Sequence, residues 1–563
     1  MVIRNRLKAC GPNSTGWFNR RFHAFLDRFD RVQAFALARP AATVIGILGL
    51  FCLSFTLLPA LGFAYFPRTD PGQFIINLKA ATGTRIEITE QEVAKTEDLI
   101  RKIVSPHDLR LIVSNIGVTP DLSSIYTTNS STHTAYVQVS LNDGHTVGSY
   151  AYIDRVRAAM QKELPELATY FQTGGLVDAI INQGLPAPID IQVSGNNLPE
   201  DAKIAASLRN QVSRLPGVAD AYIPEDVDAP SLKLQINRYY AQEMGLSEHE
   251  VVNNIITSLT SDGMISPSYW VDPKSGNLYM LTVQFPDNTV RSLEDLKNLP
   301  IRSSGQNNTT VLGNVASVKL IESPTEVDHY KLFRVVDVYV STKGEDLSRV
   351  ASAVQHIVDQ VKKEAPSDVR IDMHGIVDPM WSSLESFGFG LILSLLLVYL
   401  VLVAQFRSFV DPLLILLAVP PGVAGVLLIL TTTGTTLNIM SLMGLVMMVG
   451  IVVSNSILIV EFTHRLVGEG KPLREAVQFA VRVRLRPILM TSLATVIGLI
   501  PMALALEAGS EAYAPLARAI IGGLLASVAL TVFIVPSAVL LVYRNRQGSD
   551  GSRGRQPELT PTH

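Results

Sequence analysis

Residues 412–460 read PLLILLAVPPGVAGVLLILTTTGTTLNIMSLMGLVMMVGIVVSNSILIV, without a single Asp, Glu, Lys, Arg or His. A membrane-spanning helix needs about 20 mostly apolar residues, so the stretch holds two, divided by the Thr/Gly-rich TTTGTTLN at 431–438. Outward from it, the same absence of charge marks residues 40–67, 386–406, 487–506 and 519–543. Any one run could be a buried core helix, but six spans together, one early and five late, point to a membrane protein. The first starts some forty residues in and exceeds the roughly 7–15 residues of a signal-peptide apolar region, so it is expected to remain as a helix. Composition agrees: charged residues make up 17% of the 563, against roughly 25% in a soluble domain, and mean hydropathy is +0.27.

Orientation follows from Lys and Arg in the short loops, which stay on the cytoplasmic side. The stretch before the first span carries Arg4, Arg6, Lys8, Arg20, Arg21, Arg28, Arg31 and Arg39. Between spans four and five lie Arg465, Lys471, Arg474, Arg482, Arg484 and Arg486, and after the last come Arg544, Arg546, Arg553 and Arg555. With six spans all three fall on one side, and the opposite loops TTTGTTLN and EAGSEAYAPLA have no Lys or Arg. Both termini are therefore expected in the cytoplasm, with residues 68–385 outside. The 47 basic and 50 acidic residues show no basic excess of the kind nucleic-acid binders carry. Two cysteines, Cys10 and Cys52, cannot build a many-bridged disulfide scaffold.

The outer segment alternates strands and helices. FIINLKA (74–80), LRLIVSNIG (109–117), TAYVQVSL (134–141) and ATYFQT, with helices between, make a β-α-β-β-α-β unit; Thr84–Glu87, TRIE, reads as a capping box for its first helix. A second, interrupted copy begins at IDIQVSG (189–195), continues through a helix at 200–214 and VADAYI, and ends with RVVDVYVS (334–341), a helix at 347–363 and VRIDM. Residues 237–325 form an insertion, with a helix near SEHEVVNNIITSL and a hairpin at 264–284 turning at DPKSGN.

One span, a large outer domain of two such units with an insertion, then five spans: this order resembles one half of a resistance-nodulation-division (RND) permease. GIVVSNSILIVEF (450–462) is similar to the fourth-span motif of the family's C-terminal half, and VRVRLRPILMTSLA (481–494) to the segment entering its fifth span. SLKLQINRYYAQEMGLS (231–247) resembles the opening of the docking insertion, and GWFNRRF (16–22) the amphipathic cytoplasmic helix joining two halves. The resemblance covers nearly the whole chain. It implies an α-helical membrane protein with six transmembrane helices plus a large α+β periplasmic domain of ferredoxin-like porter subdomains and a docking insertion. The domains would be a cytoplasmic amphipathic segment at 1–39, the first transmembrane helix at 40–63, and one porter subdomain at 64–180. A second porter subdomain would take 187–236 with 326–376, the docking insertion 237–325, five transmembrane helices 384–543, and a cytoplasmic tail 544–563.

The resemblance further implies a multi-pass subunit of the bacterial inner membrane, a proton-driven antiporter exporting hydrophobic or amphipathic compounds, of the kind that confers multidrug resistance. Its partners would be an N-terminal RND half or a full-length permease, within a trimer that engages a periplasmic adaptor and an outer-membrane channel. No cofactor is implied. In the family the proton-carrying carboxylates lie in the N-terminal half, and the C-terminal half adds a Lys in the fourth-span motif plus an Arg and a Thr near the next span. Here the Lys position is Ser454, followed by Asn455, and the others match Arg484 and Thr491. These four are the proton-coupling candidates, with close helix packing by Gly450 and Ser454, small residues one turn apart, as the competing role for that face. Arg484 could equally be a positive-inside anchor, and Glu461 a solvated helix end.

Where multidrug members place several phenylalanines, SNIGVTPDLSSIYTTNSSTHTAYVQVSL has none; Tyr126 and Tyr136 are its substrate-binding candidates. Met160, Met244, Met264, Met280 and Met373 are scattered, so no clustered thioether metal site is expected. Nor does any nucleophile–base pattern, phosphate-binding loop or zinc spacing appear, which leaves a transporter rather than an enzyme. Two alternatives remain: an inactive or regulatory half-permease, and a protein-export accessory of the same superfamily.

Overall fold

The computed structural model describes residues 12–118, 129–263, 265–286, 289–303, 309–506 and 509–550. These fall into two compact units, one of Met1–Thr69, Gly344–Arg349 and Val377–His563, the other of Asp70–Lys343 and Val350–Ile376.

Among the described residues the first unit contains six helices long and apolar enough to cross a membrane: Pro40–Leu61, Val377–Phe406, Val410–Thr432, Ile439–Gly468, Leu473–Ala503 and Ser510–Tyr543. Helix α1 (Pro12–Ala38) precedes the first span, α2 (Pro40–Ser54), and Pro40 lies in the first turn of α2, where its missing N–H costs nothing. The second span is α8 (Val377–Phe406). The third consists of Val410–Leu416 and α9 (Val419–Thr432), restarting with prolines at its N-terminus. Then come α10 (Ile439–Gly468), entered through an Asn438–Ser441 capping box, α11 (Leu473–Ala503) and α12 (Ala514–Asp550).

Helices α9, α10 and α12 form the inner bundle, and glycine sets their spacing. A Cβ placed on Gly425 would lie 2.3 Å from the Ala526 Cβ and 2.4 Å from the Gly522 carbonyl oxygen, while one on Gly444 would lie 2.6 Å from the Leu516 oxygen. Lipid gives little drive for apolar side chains to associate, so membrane helices gain by bringing backbones together in this way. In contrast α8 presents Phe389, Ile392, Leu396 and Leu400 outward, all exposed, as a lipid-facing span would.

The second unit begins with β1 (Gln73–Lys79), α3 (Ile86–Ile103), β2 (Leu109–Ile116), β3 (Thr134–Leu141), α4 (Ser149–Glu163) and β4 (Ala168–Gln172). The sheet order is β2-β3-β1-β4, with every neighbouring pair antiparallel. Phe74, Ile76 and Leu78 on β1 with Val137 and Val139 on β3 turn one face toward Val93 and Ile100 of α3 and Ile153 and Val156 of α4. The expected capping box at Thr84 does not form: the Thr84 hydroxyl donates to the Ala81 carbonyl at 2.6 Å, closing a turn, and Arg85 becomes the N-cap.

Next come β5 (Ile189–Ser194), α5 (Leu198–Val212), β6 (Val218–Tyr222) and β7 (Ala229–Ile236). Helix α6 (Glu248–Leu259) opens with a reciprocal Ser247–Glu250 capping box, and the hairpin β8 (Ser268–Val271)–β9 (Leu278–Leu281) follows. Strand β10 (Ala316–Ser323) returns antiparallel to β7. The unit closes with β11 (Asp328–Tyr330), β12 (Phe333–Thr342), α7 (Leu347–Glu364) and β13 (Arg370–Gly375). The second sheet runs β11-β12-β5-β13, with β6 also on β12.

Candidate functional site

Side chains alternate between the faces of a strand, and in the second sheet the alternation is unusually strict. Ile189, Ile191 and Val193 of β5 point one way with Val336, Val338 and Val340 of β12, all fully buried or nearly so. Helix α5 supplies buried Ala205, Leu208 and Val212 beside them, and α7 turns Val350, Val354 and Val358 inward. The opposite face follows from the register. Asp337 lies across from Gln192, Tyr339 from both Asp190 and Tyr222, His374 from Asp190, and Asp328 from Val335. An antiparallel sheet commonly gives such a polar face to water. Here it is covered: Asp190 is 0% exposed, and Gln192, Glu225 and Asp337 are each 5% exposed.

Glu225, in the segment after β6, reaches this face and accepts the Asp337 backbone N–H through Oε1 at 3.1 Å. Glu225, Asp328 and Asp337 each bring a carboxylate oxygen within 4.8 Å of the others. The Gln192 Nε2 donates to Asp190 Oδ2 at 2.9 Å. Four buried oxygens here, Asp190 Oδ1, Gln192 Oε1, Glu225 Oε2 and Asp337 Oδ1, have no hydrogen-bond partner among the described residues. Nor does any Lys, Arg or His among them form an ion pair with Asp190, Glu225, Asp328 or Asp337. Burial, reinforced by Asp190, Asp328 and Glu326, pushes the Asp337 carboxyl up to about 8. Burial likewise lifts Asp190 to about 7 and Glu326 to about 7, and raises Glu225, with Asp337 adding to the shift. Unpaired buried carboxylates are costly, so this face holds either protons or a cation. Oxygen-only donors of this kind suit hard divalent cations.

Basic groups close to this face are engaged elsewhere. Lys79 pairs with Asp226 at 3.0 Å, and His133, its ring fully buried, meets the other Asp226 oxygen at 2.8 Å. Burial alone would raise Asp226, yet His133 and Lys79 hold it below the usual carboxylate range. Arg157 grips Asp220 in a bidentate pair of 2.8 and 2.9 Å. Tyr170 of the first sheet packs between Tyr222 and Tyr339, with ring centroids 5.8 and 5.9 Å away.

The sequence-derived membrane candidates are not brought together. Ser454 is exposed and Asn455 half-buried on α10, and Gly450 has open space around it, so close packing by Gly450 and Ser454 does not occur within this bundle. Arg484 is half-buried, its guanidinium 4.8 Å over the Phe462 ring, and its buried Nε has no hydrogen-bond partner. Thr491 is exposed, its hydroxyl turned to the Pro487 carbonyl at 3.2 Å. No hydrogen bond joins these four to one another. Glu461 is exposed. Tyr136 is half-buried opposite Asn77 and Asn115 on the polar face of the first sheet, while Tyr126 and Met264 lie outside the described residues.

Two membrane features were missed. Asp411, 2% exposed at the start of the third span, accepts from the Tyr543 hydroxyl at 2.7 Å and meets His464 Nε2 at 3.3 Å, tying spans three, four and six together at one end. The uncharged-run scan stopped just short of it, at Pro412. An apolar cavity of about 370 Å³ opens between Phe29, Leu489, Leu493, Leu525, Val528 and Phe533. The acidic face was missed because 190, 225, 328 and 337 are far apart in sequence; the available signal was acid at alternate positions of β-branched strands, as in IDIQVS and VVDVYV.

Comparison with known proteins gives the setting. The profile of the AcrB/AcrD/AcrF family matches residues 2–543. The cobalt-zinc-cadmium resistance protein CzcA of Cupriavidus metallidurans is 24% identical over 559 residues, which is 97% of this chain and 50% of that protein. The cation efflux system protein CzcA of Alcaligenes sp. matches to the same extent, 24% over 559 residues. The chain thus spans about half the length of these curated relatives. The crystal structure of a heavy metal efflux pump superposes with a TM-score of 0.74 at 24% identity, over 94% of this chain and 53% of that one, and a second crystal form gives 0.73.

Proposed function

Because the chain belongs to the AcrB/AcrD/AcrF family, we propose that it forms one six-span repeat of a proton-driven exporter in the inner membrane, equivalent to the C-terminal repeat, and that its cargo is a metal cation. It would act with an N-terminal-type repeat, in the same polypeptide or another. The observation that carries this is Arg484, whose buried guanidinium Nε has no acceptor. A buried donor left unpaired costs about 1–3 kcal/mol or more when charged, and a carboxylate from a second repeat would satisfy it. The described spans hold a single buried carboxylate, Asp411, at a bundle end. Met443, Met447, Gly450 and Ser454 form an exposed stripe on α10 against which that repeat would pack.

The cargo differs from the hydrophobic compounds expected from the resemblance. The outer unit has a buried acidic face, and two curated relatives are named a cobalt-zinc-cadmium resistance protein and a cation efflux system protein. Hairpin β8–β9 exposes Tyr269, Trp270, Val271, Leu278, Tyr279 and Leu281; an isolated hairpin is marginal in water, which favours a trimer whose neighbour covers it. The apolar cavity supports a second reading, hydrophobic cargo drawn from the bilayer.

The test uses cells stripped of their own exporters that express the chain with a complementing N-terminal repeat. Cell-associated Mn²⁺, Co²⁺, Zn²⁺ and Cd²⁺ and a hydrophobic dye are measured together. Lower metal content with the native chain, lost in Arg484→Met, is expected; dye export without metal export would overturn the cation assignment in favour of the second reading.

A further inference from the structure

We propose that Glu225, Asp328 and Asp337, completed by the Gln192 side-chain oxygen, form a divalent-cation site on the buried face of the second sheet, selective for oxygen-preferring ions such as Mn²⁺ over thiophilic ones. This deepens the cation-export reading and rests on it for the cation's fate, though not for its binding.

The spacing fits a coordination sphere. Metal–oxygen bonds of about 2.3–2.4 Å put ligand atoms across a sphere roughly 4.6–4.8 Å apart, and the three carboxylate oxygens lie within 4.8 Å of one another. The second observation is independent of the acids. Gln192 is an amide, 5% exposed, and stands opposite Asp337 in the β5–β12 register. Its side chain hydrogen-bonds Asp190 and Asp337, while Oε1 stays buried and without a donor. A buried amide oxygen with nothing to accept from is expected to find a partner, and the ionised carboxyls of Asp190 and Asp337 beside it can offer none. A cation satisfies this oxygen and the three carboxylates together.

Among the described residues no Lys, Arg or His forms an ion pair with the three carboxylates; Lys79 reaches only Asp226 and the field of Glu326 at the margin. Facing the site are Asp190 and Gln192 from β5, Asp337 and Tyr339 from β12, Asp328 from β11, His374 and Asp372 from β13, Glu225 and Asp226 after β6, and Glu326. Lys79 and His133 of the first sheet are spent on Asp226. Asp372 pairs outward with Arg370 and Lys362, and the His374 ring packs at a tilt against Tyr330, centroids 4.7 Å apart. The donors include no thiol or thioether, so soft ions gain no advantage. Carboxylate ligands bind a cation only when deprotonated, so cation entry competes with protons and binding weakens as pH falls.

The experiment uses the full chain in lipid nanodiscs, stripped with chelator and titrated with Mn²⁺ at pH 8 and pH 6, free ion being read by electron paramagnetic resonance. Expected are a single Mn²⁺ per chain at pH 8 and affinity at least about tenfold weaker at pH 6, since binding that releases protons loses up to tenfold per proton per pH unit. Glu225→Gln and Asp337→Asn should weaken binding by about tenfold or more, because site charge sets affinity; Asp272→Asn, in the exposed β8–β9 turn, should not. Asp328→Asn, half-buried at the sheet edge, serves if the buried variants unfold. No binding of Mn²⁺ or Ca²⁺, or binding unchanged in the folded variants, overturns the site. Binding without metal efflux would instead refute the export reading and leave the site standing, whereas metal efflux without binding would do the reverse.

Discussion

The acidic face makes a thermodynamic prediction of unusual sign. Most carboxylates are more acidic in the folded chain and stabilise it as pH rises; Asp337 does the opposite. Its carboxyl moves from 3.8 to about 8 on folding, so the folded state holds more protons than the unfolded state between those values, and stability falls as pH rises through that window. From pH 6 to pH 8 the loss is about 2 kcal/mol, somewhat less than two full units at about 1.4 kcal/mol each because the carboxyl is half ionised by pH 8. Asp190, raised to about 7, adds up to about 1 kcal/mol between pH 6 and pH 7, reduced because the two carboxyls share one field. A unit of this size should lose several degrees of unfolding temperature, at roughly 2–4 °C per kcal/mol. Thermal unfolding of the chelator-treated chain in nanodiscs, followed by Trp270 and tyrosine fluorescence at pH 6, 7, 8 and 9, would show the fall. Asp337→Asn keeps the shape and removes the titration, so its profile should be flatter, crossing the native one near neutrality. Mn²⁺ should restore the native chain at pH 8 and barely affect it at pH 6. An unfolding temperature that rises to pH 9, or an unchanged slope in Asp337→Asn, would refute the account.

Three further outcomes follow from the packing. Gly425→Leu would drive a side chain into the Gly522 backbone, where even a Cβ sits 2.4 Å away; a loss above about 3 kcal/mol should appear as collapse of the detergent-resistant fold, while Gly450→Leu, in open space, should be tolerated by the isolated chain. Arg157→Met leaves buried Asp220 without its cation and should cost about 3–5 kcal/mol in denaturant unfolding of the outer unit, largely recovered in Arg157→Met/Asp220→Leu. Tyr543→Phe removes the 2.7 Å hydrogen bond to Asp411 and should cost about 1.5–3 kcal/mol, seen as faster hydrogen exchange at the ends of spans three and six.

What could be read from sequence was what depends on neighbours along the chain. The uncharged runs located the six helices long and apolar enough to span a membrane among the described residues, and period-2 patterning found strands such as Gln73–Lys79 and Thr134–Leu141, because apolar burial writes itself into local spacing. TRIE failed because the Thr84 hydroxyl donates to the Ala81 carbonyl and closes a turn instead of capping the helix, a local choice that no spacing records. The acidic face was hidden for a different reason: the second sheet's order, β11-β12-β5-β13 with β6 on β12, brings β5 beside β12 across an intervening insertion, so Gln192 and Asp337 meet only once the sheet exists. Asp411 sat one residue outside a charge-free window, yet Tyr543 and His464 close over it from helices far along the chain. The proton-coupling candidates Ser454, Asn455, Arg484 and Thr491 rest on motif position, and no hydrogen bond joins them within the described residues.

The two-faced second sheet also bears on how the outer unit finds its fold. A slip of one residue between β5 and β12 would turn every side chain of the slipped strand to the other side, sending Asp337 beneath α5 and α7 and lifting Val336 and Val338 among the carboxyls. Each odd-residue slip therefore buries acid in hydrocarbon and strands valine in a polar cleft, a double mismatch that an ordinary half-solvated sheet would not suffer. The acids that make the finished face costly thus also select against half of the wrong registers during strand pairing, leaving only even-residue slips for side-chain packing to reject.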